Sequence, residues 1–464
     1  MMENKNFWSR VVPGFVQKQI TKSWLPLGGG MSDAYMGMGA PTWMKSGKEA
    51  MISDGMHMNP DLYSVVSFIT MLAGQIEWVL YEVKDEKWLR RYKNMDPTDS
   101  IMANIYEKKA LEPVQAHQML DTWKHPNEYQ GQSEFMQQYL GYKLITGDTY
   151  AHGQGPISGP NVGLFIMFEA LPSQLIGIKY GGPMNPVGHY YWLGDPSRTI
   201  PAEQVIHCKY ANYLPVSHGG LYGLSPLKAG SRLITRSNEA LTTSVRTYQN
   251  QGAAGILSRP LGATDKPLTV QQARQVEQKY YENYGGSKKA GRIMATGAQL
   301  QWTQLGLSPV DLGILESEKM DLRRICNLYH LQSQLFNDPE NKSYNNMREA
   351  RTAAYTNAVI PEMRAIRDEF NRGWVQQWSK RDGKNYWLDM DLQAIPEMQM
   401  DYKSMMEWLN NATMLTENEK REVIDYDTLE VPGMDEVWVN GNRIPMSQAM
   451  IDPGPMDKWM DERL

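Results

Sequence analysis

The sequence predicts an α+β protein built from several structural units, and three observations support this fold class. Apolar residues recur at three- and four-residue steps in several stretches, which is the period of amphipathic helices. A proline-punctuated series of short β-type runs lies between two of those stretches. From Asp389 to Leu464, 17 acidic residues stand against 6 basic ones, a net charge of −11 in a chain whose total is −5. This asymmetry predicts a separate acidic C-terminal unit.

The composition of the 464-residue chain excludes several classes of protein. Its two cysteines, Cys208 and Cys326, exclude a disulfide scaffold and a cysteine-rich zinc or iron–sulfur module. The N-terminal residues lack the order of a secretory signal, and the apolar runs are far shorter than the ~20 residues of a membrane span. We therefore expect a soluble, intracellular protein. The near-balanced charge argues against a protein that coats nucleic acid through bulk electrostatics.

The N-terminal part predicts an irregular arm followed by a helix and a strand. Gly28–Gly30 and the glycines within Met36–Pro41 are typical of loop or extended chain. Helical spacing of apolar residues over Pro60–Leu80, after a start signal at Asn59, predicts a helix. Trp78–Val83 has the composition of a strand.

A helix, a β-rich insert and a second helix follow. Ser133–Tyr150 predicts a helix capped by Ser133, with a stop signal at Gly147. Prolines then become frequent, and the predicted strands are Phe165–Phe168, Gln174–Tyr180, His189–Leu193 and Val205–Lys209. Ser225 caps the next helix, which is predicted to run unbroken to about Gln251.

The rest of the chain predicts further helices and one hairpin. In order, these are an amphipathic helix over Thr269–Tyr284, a hairpin of Ile293–Met294 with Gln299–Leu305, a helix opened by Ser308–Pro309, a polar loop ending at Asn346, and a helix over Met347–Trp378 kinked at Pro361. The acidic unit is predicted to begin at Asp389.

None of the candidate catalytic motifs is complete. Gly286–Ile293 has the two glycines of a phosphate-binding loop but ends in Arg-Ile instead of Lys-Ser/Thr. His218–Gly220 resembles an esterase oxyanion loop, yet Gly223–Leu227 lacks the last glycine of the nucleophile elbow. His207-Cys208 makes a poor metal site, because adjacent side chains on a strand point to opposite faces. The sequence therefore predicts no catalytic residue, no metal site and no cofactor.

Two basic clusters leave both a structural and a functional interpretation open. Lys87–Lys93 interleaves four cations with Trp88 and Tyr92, a pattern that can follow a nucleic-acid strand and equally fits a solvated helix face. The cations Lys228, Arg232 and Arg236 stand four apart on one helix face. That row fits a salt-bridged surface or a contact between subunits.

In its order of parts and in four local motifs, the chain resembles the portal proteins of tailed bacteriophages, specifically the HK97-type portal family. Gly223–Leu227 resembles the family's G-x-S-P-L helix opening, and Asn250–Leu257 resembles its passage from helix to strand, although the usual proline is absent. Leu307–Lys319 resembles its S-P-x-D … E-x-x-K helix, and Leu415–Arg421 its late T-x-N-E-x-R turn. The resemblance covers roughly residues 50 to 430.

The resemblance implies a multi-part portal subunit, with a wing, a helical stem, a small β-rich clip and a helical crown, that assembles into a ring around a central channel. By position it assigns 1–131 to an N-terminal arm and the first part of the wing, 132–152 and 218–251 to stem helices, 153–217 to the clip, 252–330 to the second part of the wing, 331–346 to a tunnel loop, 347–388 to a helix linking wing to crown, and 389–464 to the acidic crown.

The resemblance also implies a function and partners. The ring, usually a dodecamer, would occupy one capsid vertex, where double-stranded DNA is packaged by the large terminase and later ejected. The major capsid protein and a head–tail adaptor would be further partners, and the adaptor would dock on the clip. The expected locations are the virion and, during assembly, the host cytoplasm. Neither a cofactor nor a membrane is implied.

The predicted tunnel loop holds the candidate DNA contacts, namely Asn337, Asp338, Lys342, Tyr344, Asn345 and Asn346. A channel that lets DNA slide must not be strongly basic, since duplex DNA carries one charge per ~1.7 Å and each neutralised phosphate adds affinity. A polar, nearly neutral loop can contact phosphates without reading bases. The candidates for the subunit interface or the channel wall are Lys228, Arg232, Arg236 and Arg246.

Two other classes of protein are alternatives to a portal. One is a different virion structural protein, such as a capsid or adaptor protein. The other is an enzyme with an α/β core, for which each candidate motif lacks an essential member. The two long predicted helices that flank a β insert favour the portal class.

Overall fold

The computed structural model describes residues 47–94, 100–216, 219–250, 255–258, 301–304, 314–336 and 344–392, most of 394–439, residues 444–445, and single positions between 271 and 278. They belong to one compact unit, Lys45–Leu464. After a helical turn at Lys48–Ala50 and a π-helical turn at Met51–His57, the helices are α1 (Pro60–Gly74), α2 (Glu86–Lys93), α3 (Ser100–Ala110), α4 (Gln118–Lys124), α5 (Gln132–Thr146), α6 (Pro226–Ala229), α7 (Ser231–Asn250), α8 (Ile314–Leu328), α9 (Tyr344–Ala354), α10 (Ile360–Phe370), α11 (Gln376–Asp382), α12 (Tyr402–Asn411) and α13 (Glu417–Val423).

The strands form small antiparallel sheets. They are β1 (Trp78–Val83), β2 (Leu111–Pro113), β3 (Asp148–Gln154), β4 (Met167–Leu171), β5 (Ile176–Tyr180), β6 (Val187–Trp192), β7 (Asp195–Pro201), β8 (Val205–Lys209), β9 (Gly255–Ser258), β10 (Gln301–Gln304), β11 (Tyr386–Met390), β12 (Trp438–Val439) and β13 (Ile444–Pro445). Their orders are β11-β1-β2, β4-β3-β8, β5-β6-β7, β10-β9 and β12-β13. We call residues 148–209, which hold β3 to β8, the β unit.

Helix α1 begins where the sequence predicts. The Asn59 side chain accepts a hydrogen bond from the Leu62 amide at 2.9 Å, and Pro60 occupies the first turn. The helix is shorter than predicted, because it ends at Gly74 and Trp78–Val83 forms the predicted strand β1. Its apolar face is buried, and α5 packs along it.

An aromatic cluster joins the β unit to the helices. The rings of Trp123, Phe135, Tyr139, Phe168, Phe370 and Trp374 contact one another at centroid distances of 5.0–6.4 Å, mostly edge to face. The indole of Trp374 also donates a hydrogen bond to the Phe165 carbonyl at 3.0 Å. The β unit therefore shares its core with α4, α5 and α10.

The helix predicted over Ser133–Tyr150 ends early. Helix α5 is capped at its start by Gly131 and not by Ser133, and it stops at Thr146. Gly147 then adopts a left-handed conformation with φ 87°, and the chain continues as β3, the central strand of its sheet. The first predicted stem segment, 132–152, therefore combines a helix with most of a strand. The insert begins at Asp148 and not at residue 153.

The long helix predicted after Ser225 is broken. The cap is confirmed, since Ser225 Oγ accepts hydrogen bonds from the amides of Leu227 and Lys228 at 3.1 and 3.4 Å. At Gly230 the backbone leaves the helical region, so α6 and α7 are separate helices. Leu328, at the end of α8, lies against Gly230 and occupies the space that a side chain would need.

The predicted hairpin has a different partner strand. β10 pairs antiparallel with β9, so Gln301 faces Ser258. Ile293–Met294 lies outside the described residues, as do most of Thr269–Tyr284 and all of Gly286–Ile293. The helix predicted after Ser308–Pro309 is confirmed as α8 from Ile314 onward.

The helical stretch from Tyr344 to Asp382 is interrupted twice by π-helical segments. The first, Tyr355–Val359, ends two residues before Pro361. A proline inside a helix cannot donate its amide and clashes with the preceding turn, which favours a wider turn there. In the second, the side-chain Nδ2 of Asn371 donates hydrogen bonds to the carbonyls of Arg367 and Leu388 at 2.9 and 2.8 Å. The predicted interruption at Pro361 is thus a π segment within a continuing helix.

The predicted start of the acidic unit falls inside a strand. Asp389 belongs to β11 and pairs with Val79 of β1 in the core sheet. Its carboxylate is buried and accepts hydrogen bonds from Arg367 Nη1 at 3.0 and 3.3 Å. The first carboxylate of the predicted acidic unit therefore balances a buried guanidinium and is not a solvated surface charge.

The aromatic cluster predicts a large effect of one substitution. Trp374→Ala removes a fully buried indole and its hydrogen bond to Phe165, so the free energy of unfolding should fall by about 3–5 kcal/mol. The measurement is chemical denaturation followed by far-UV circular dichroism. Trp408, whose side chain is 38% exposed, gives the control, because Trp408→Ala removes less buried surface and should cost about 2 kcal/mol or less. Equal losses in the two variants would contradict this account of the core.

Candidate functional site

The predicted tunnel-loop residues divide into two groups. Asn337, Asp338 and Lys342 lie outside the described residues. Tyr344, Asn345 and Asn346 form the first turn of α9, so the predicted loop boundary at residue 346 is too late. The predicted start at Leu331 is too early, because Leu331 is buried and Ser333–Phe336 forms a 3-10 turn. Phe336 in that turn packs edge to face on Phe68 of α1 at 5.4 Å.

The candidate stem cations lie on two helices, α6 and α7. Lys228 is exposed on α6, and Arg232 and Arg236 are exposed on α7. Arg246 also belongs to α7, beyond the residues whose side chains are described. The structure therefore does not place all four candidates on one helix.

Helices α7 and α8 form an antiparallel pair held by an ion pair. Gly230 lies against Leu328, and six residues further along α7 the guanidinium of Arg236 contacts the carboxylate of Asp321. The Asp321 side chain is 0% exposed, whereas that of Arg236 is 44% exposed. An acidic partner for Arg236 is thus present within the same chain.

A buried polar cluster lies where α5 passes into the β unit, at the carboxylate of Asp148. Oδ1 of Asp148 accepts hydrogen bonds from His207 Nε2 at 3.0 Å and from the Gly223 amide at 2.6 Å. Lys48 Nζ lies 2.8 Å from Oδ2. Three segments that are distant in sequence meet at this carboxylate. We call Lys48, Asp148, His207 and Gly223 the Asp148 junction.

Electrostatics fix the protonation states at the junction. Burial raises the pKa of Asp148, but the hydrogen bond from His207 and the charge of Lys48 outweigh it and hold the pKa below its usual value. Burial lowers the pKa of His207 by more than its hydrogen bond to Asp148 raises it, and the charges of Lys209 and Lys48 lower it further. At pH 7 the carboxylate is therefore charged, and the neutral imidazole donates its Nε2–H to it.

The chain enters the β unit after Gly147 and leaves it before Tyr210, and these two segments pack against each other at the junction. The Tyr210 amide donates to the Gly147 carbonyl at 3.0 Å, and Ser225 Oγ donates to the Ile145 carbonyl at 2.6 Å. A Cβ at Gly223 would lie 2.0 Å from the Gly147 oxygen, so only glycine fits there. The junction is therefore built as a rigid connection.

A second buried ion pair joins the last turn of α5 to α10. Lys143 Nζ is 2.7 Å from Glu362 Oε2 of α10, and the lysine is 2% exposed. Burial raises the pKa of the neighbouring Cys208 thiol to about 11. The thiol is therefore protonated at neutral pH, and this cluster holds no activated nucleophile.

The late motif singled out in the sequence, Leu415–Arg421, has a structural role. Thr416 and Glu419 form a capping box on α13: the Glu419 amide donates to Thr416 Oγ1 at 3.2 Å, and the Thr416 amide donates to Glu419 Oε2 at 3.1 Å. Asn418 fixes the following loop through hydrogen bonds with both the amide and the carbonyl of Leu429. Lys109 of α3 pairs with Glu419 at 3.0 Å, which joins this unit to the core.

The sequence does not predict the Asp148 junction. It indicates a helix stop at Gly147, one residue before Asp148, and for His207 it only argues against a metal site. The sequence gives no prediction for Lys48, because a single lysine in a helical turn forms no recognisable motif. Among the described residues, no group of three or more His, Cys, Asp or Glu side chains could hold a metal ion. No described helix is long and apolar enough to cross a membrane.

Comparisons with known proteins agree on one family. The family model described as "Phage portal protein" matches residues 60–425. The portal protein of Enterobacteria phage HK97 is 23% identical over 218 residues, which are 46% of this chain and 47% of that protein. An uncharacterized protein of Rickettsia bellii (strain RML369-C) is 23% identical over 381 residues, 80% of this chain and 87% of that one.

The solved structures show a shared fold. A chain from the neck of an empty gene transfer agent particle, computed with C6 symmetry, has a TM-score of 0.58 at 21% identity and covers 86% of this chain and 99% of its own. A chain from the neck of the native particle, computed with C12 symmetry, has a TM-score of 0.56 at 20% identity, with 85% and 98% covered. Since the family model spans most of its length, this chain belongs to the phage portal protein family.

The Asp148 junction predicts a loss of stability in acid. The folded pKa of His207 lies below that of the free side chain, ~6.5, so the unfolded chain binds a proton first and the free energy of unfolding falls as the pH drops below that value. The lowered pKa of Asp148 adds a further loss below about pH 4. His207→Gln should flatten the pH dependence between 6.5 and 5, measured by denaturation at each pH. Parallel curves for wild type and variant would contradict the assignment.

The α7–α8 ion pair predicts an asymmetric response to substitution. Arg236→Ala leaves the buried Asp321 carboxylate without its partner and should cost about 1–3 kcal/mol of stability. The double variant Arg236→Met/Asp321→Leu should recover most of that loss, because it removes the buried charge as well. Lys228→Ala, an exposed cation nearby, is the matched control in the same denaturation series. A double variant no more stable than Arg236→Ala would refute the buried-charge explanation.

Proposed function

We propose that this chain is the subunit of a phage portal ring, through which double-stranded DNA enters and leaves a capsid. The observation that carries the proposal is the family match, which extends over residues 60–425 and therefore over helices α1 to α13, the β unit and all of the Asp148 junction except Lys48. The similar neck chains of gene transfer agent particles come from reconstructions with C6 and C12 symmetry. They support a closed ring, twelvefold by analogy with the native neck.

A ring of identical subunits requires two different, complementary faces on each subunit. Rigid subunits favour such closure, because a fixed angle between the two faces determines how many copies complete the circle. The Asp148 junction and the shared aromatic core join the β unit to the helices through buried hydrogen-bond, ion-pair and ring contacts. A connection of this kind supports a fixed angle between the two faces and therefore assembly into a ring of defined size.

The packing of the helices supports a revised assignment of the stem. The resemblance assigned residues 132–152 to the stem and 153–217 to the clip, but α5 packs on α1 and the β unit is bound into the core. Helices α7 and α8 instead form an antiparallel pair that leads into and out of residues 251–313. We assign the stem to α7 and α8 and the clip to the segment between them.

The charge of this helix pair suits a channel in which DNA slides. Helices α7 and α8 together carry six basic and four acidic residues, a net charge of +2. One of the cations, Arg236, is already paired with Asp321. Because the affinity for duplex DNA rises with each phosphate that a protein neutralises, so weakly basic a wall holds DNA loosely.

The proposed partners follow from this role. They are further copies of the chain, the major capsid protein, the large terminase, a head–tail adaptor and double-stranded DNA without sequence preference. The subunit would act in the virion and, before that, in the host cytoplasm. It would act as a structural protein and not as an enzyme, since the terminase supplies the energy of packaging.

The proposal predicts the mass of the purified assembly. Native mass spectrometry should find a closed particle near twelve times the 53.0 kDa of the subunit, and negative-stain images should show a central hole. A closed ring whose number of subunits is close to twelve would also support the proposal. A particle that remains a monomer at all concentrations and salt conditions tested would contradict the proposal.

A further prediction concerns the polar segment 337–343. Lys342→Glu should weaken transient phosphate contacts and lower the amount of DNA packaged or retained per capsid, with ring assembly unchanged. Encapsidated DNA is measured by nuclease protection, and Lys380→Glu on α11 is the control for a charge reversal elsewhere. Packaging and retention equal to wild type would remove Lys342 from the set of DNA contacts.

A further inference from the structure

Helix α2 carries the basic cluster for which the sequence leaves two interpretations open. Lys87, Arg90 and Arg91 stand at positions i, i+3 and i+4, so they share one helix face, and all three side chains are exposed. We call these three residues the α2 cation face. Leu89 and Tyr92 lie on the opposite side of the helix and pack into the core. The cations therefore point away from the core.

The α2 cation face has no carboxylate partner among the described residues. Nearby ion pairs join Lys84 to Glu112 and Lys109 to Glu419, but none of those formed within the described part of the chain includes this face. Together α2 and α3 carry six basic and two acidic residues, a net charge of +4 in a chain whose total is −5. The face is thus a local concentration of positive charge in an acidic protein.

Positive charge is also in excess where α2 ends. Burial lowers the pKa of Lys93, and the nearby charge of Arg367 lowers it further. Burial and the same guanidinium lower the pKa of Arg364 on α10. The carboxylates of Asp368 and Asp389 both pair with Arg367. Among the described side chains Lys93 and Arg364 have no carboxylate of their own, so an anion bound beside α2 would relieve their repulsion.

The aromatic rings of α2 are not available to stack on a base. Arg91 and Lys109 lie over the ring of Trp88, 4.7 and 5.4 Å from its centroid. Tyr106 contacts the same ring at 5.4 Å, and Tyr92 packs into the core. Single-stranded nucleic acids bind largely by stacking their bases on aromatic side chains. This arrangement therefore argues against a single strand and favours contacts with phosphates.

A protein partner fits α2 less well than duplex DNA does. The core of a protein interface is depleted of charge and enriched in aromatic side chains, but every exposed side chain of α2 is charged. Protein–DNA interfaces are more polar and much more positively charged. Duplex DNA also carries one charge per ~1.7 Å of its axis, so the ~6 Å from Lys87 to Arg91 along the helix spans several phosphate charges.

We propose that the α2 cation face binds the phosphate backbone of double-stranded DNA, without sequence preference, at a site separate from the α7–α8 pair. This inference rests on the proposed function for the identity of the polyanion. Helix α2 packs on α3 and on the core cluster beside β1 and β2. A contact here adds affinity for DNA without adding positive charge to the proposed channel wall, where DNA must slide.

The first test measures how salt weakens the binding of the full chain to a duplex of about 20 base pairs, by fluorescence anisotropy. Each phosphate contact adds about 0.9 to the slope of log affinity against log salt concentration. Between about 50 and 200 mM salt, the affinity of the wild type should therefore fall about 40-fold more than that of Lys87→Gln/Arg90→Gln/Arg91→Gln. Arg90→Gln alone should lower the slope by about 0.9. Equal slopes for the wild type and the triple variant would overturn the proposal.

A matched control removes three exposed cations from other elements. Lys124→Gln/Lys179→Gln/Lys380→Gln has the same net charge as the test variant and should keep the wild-type slope. Thermal unfolding of each variant verifies that the fold is intact. A control whose slope falls as far as that of the test variant would show that net charge, and not the α2 cation face, determines the affinity, which would overturn the proposal.

The second test identifies the polyanion by competition. Extended polyglutamate carries one charge per ~3.4 Å, about half the charge density of duplex DNA, so at equal charge concentration it should displace the labelled duplex less well than unlabelled duplex does. A single-stranded oligonucleotide should also compete less well, because no free ring is present on α2. A competitor as effective as duplex would assign the face to an acidic protein or to a single strand, and would overturn the proposal.

Native mass spectrometry of the same samples separates this inference from the proposed function. A closed ring whose affinity for duplex DNA does not depend on the α2 cation face would overturn the inference alone. A chain that binds duplex DNA through these three cations but forms no ring would support the site and overturn the proposed function.

Discussion

The buried carboxylate of Asp148 is the interaction on which the arrangement of the subunit depends. Asp148 is the first residue after the left-handed turn that ends α5. Its carboxylate contacts Lys48, His207 and the Gly223 amide. Burying a charge costs free energy unless it is paired and hydrogen-bonded, so each of these contacts offsets part of that cost. The chain passes from the helices into the β unit and back again beside this carboxylate. The carboxylate therefore determines how the two parts are joined.

A cluster of this composition invites a catalytic interpretation, and the geometry argues for a structural one. Asp148 and His207 are hydrogen-bonded as in a catalytic dyad, but the other contacts of the carboxylate go to a lysine and to a backbone amide, and His207 stacks on Tyr150 at 4.5 Å. Lys143 and Cys208 are likewise buried, and the thiol stays protonated. Rigidity at these points suits a subunit whose task is to hold a fixed angle in an assembly through which another molecule moves.

Much of the fold could be predicted from local patterns, and the failures share a physical cause. The Asn59 and Ser225 caps and most of the strands follow from side-chain chemistry within a few residues. The strand starting at Asp148 and the break at Gly230 depend on contacts with Gly223 and Leu328, which are far away in sequence. Asp389 counted as part of an acidic tail, because composition cannot reveal that Arg367 neutralises it in the core. The Asp148 junction was unpredictable for the same reason: its members are single residues that only the fold brings together.

The central claim is that this chain forms a ring whose inner wall is the α7–α8 pair, with the β unit fixed to the core of each subunit. A reconstruction of the assembled particle by electron cryo-microscopy tests it most directly. The account predicts a closed ring in which α7 and α8 face the axis and the Asp148 junction has the same geometry in every subunit. A closed ring lined instead by α5 and the β unit, or the absence of any closed ring, would contradict it.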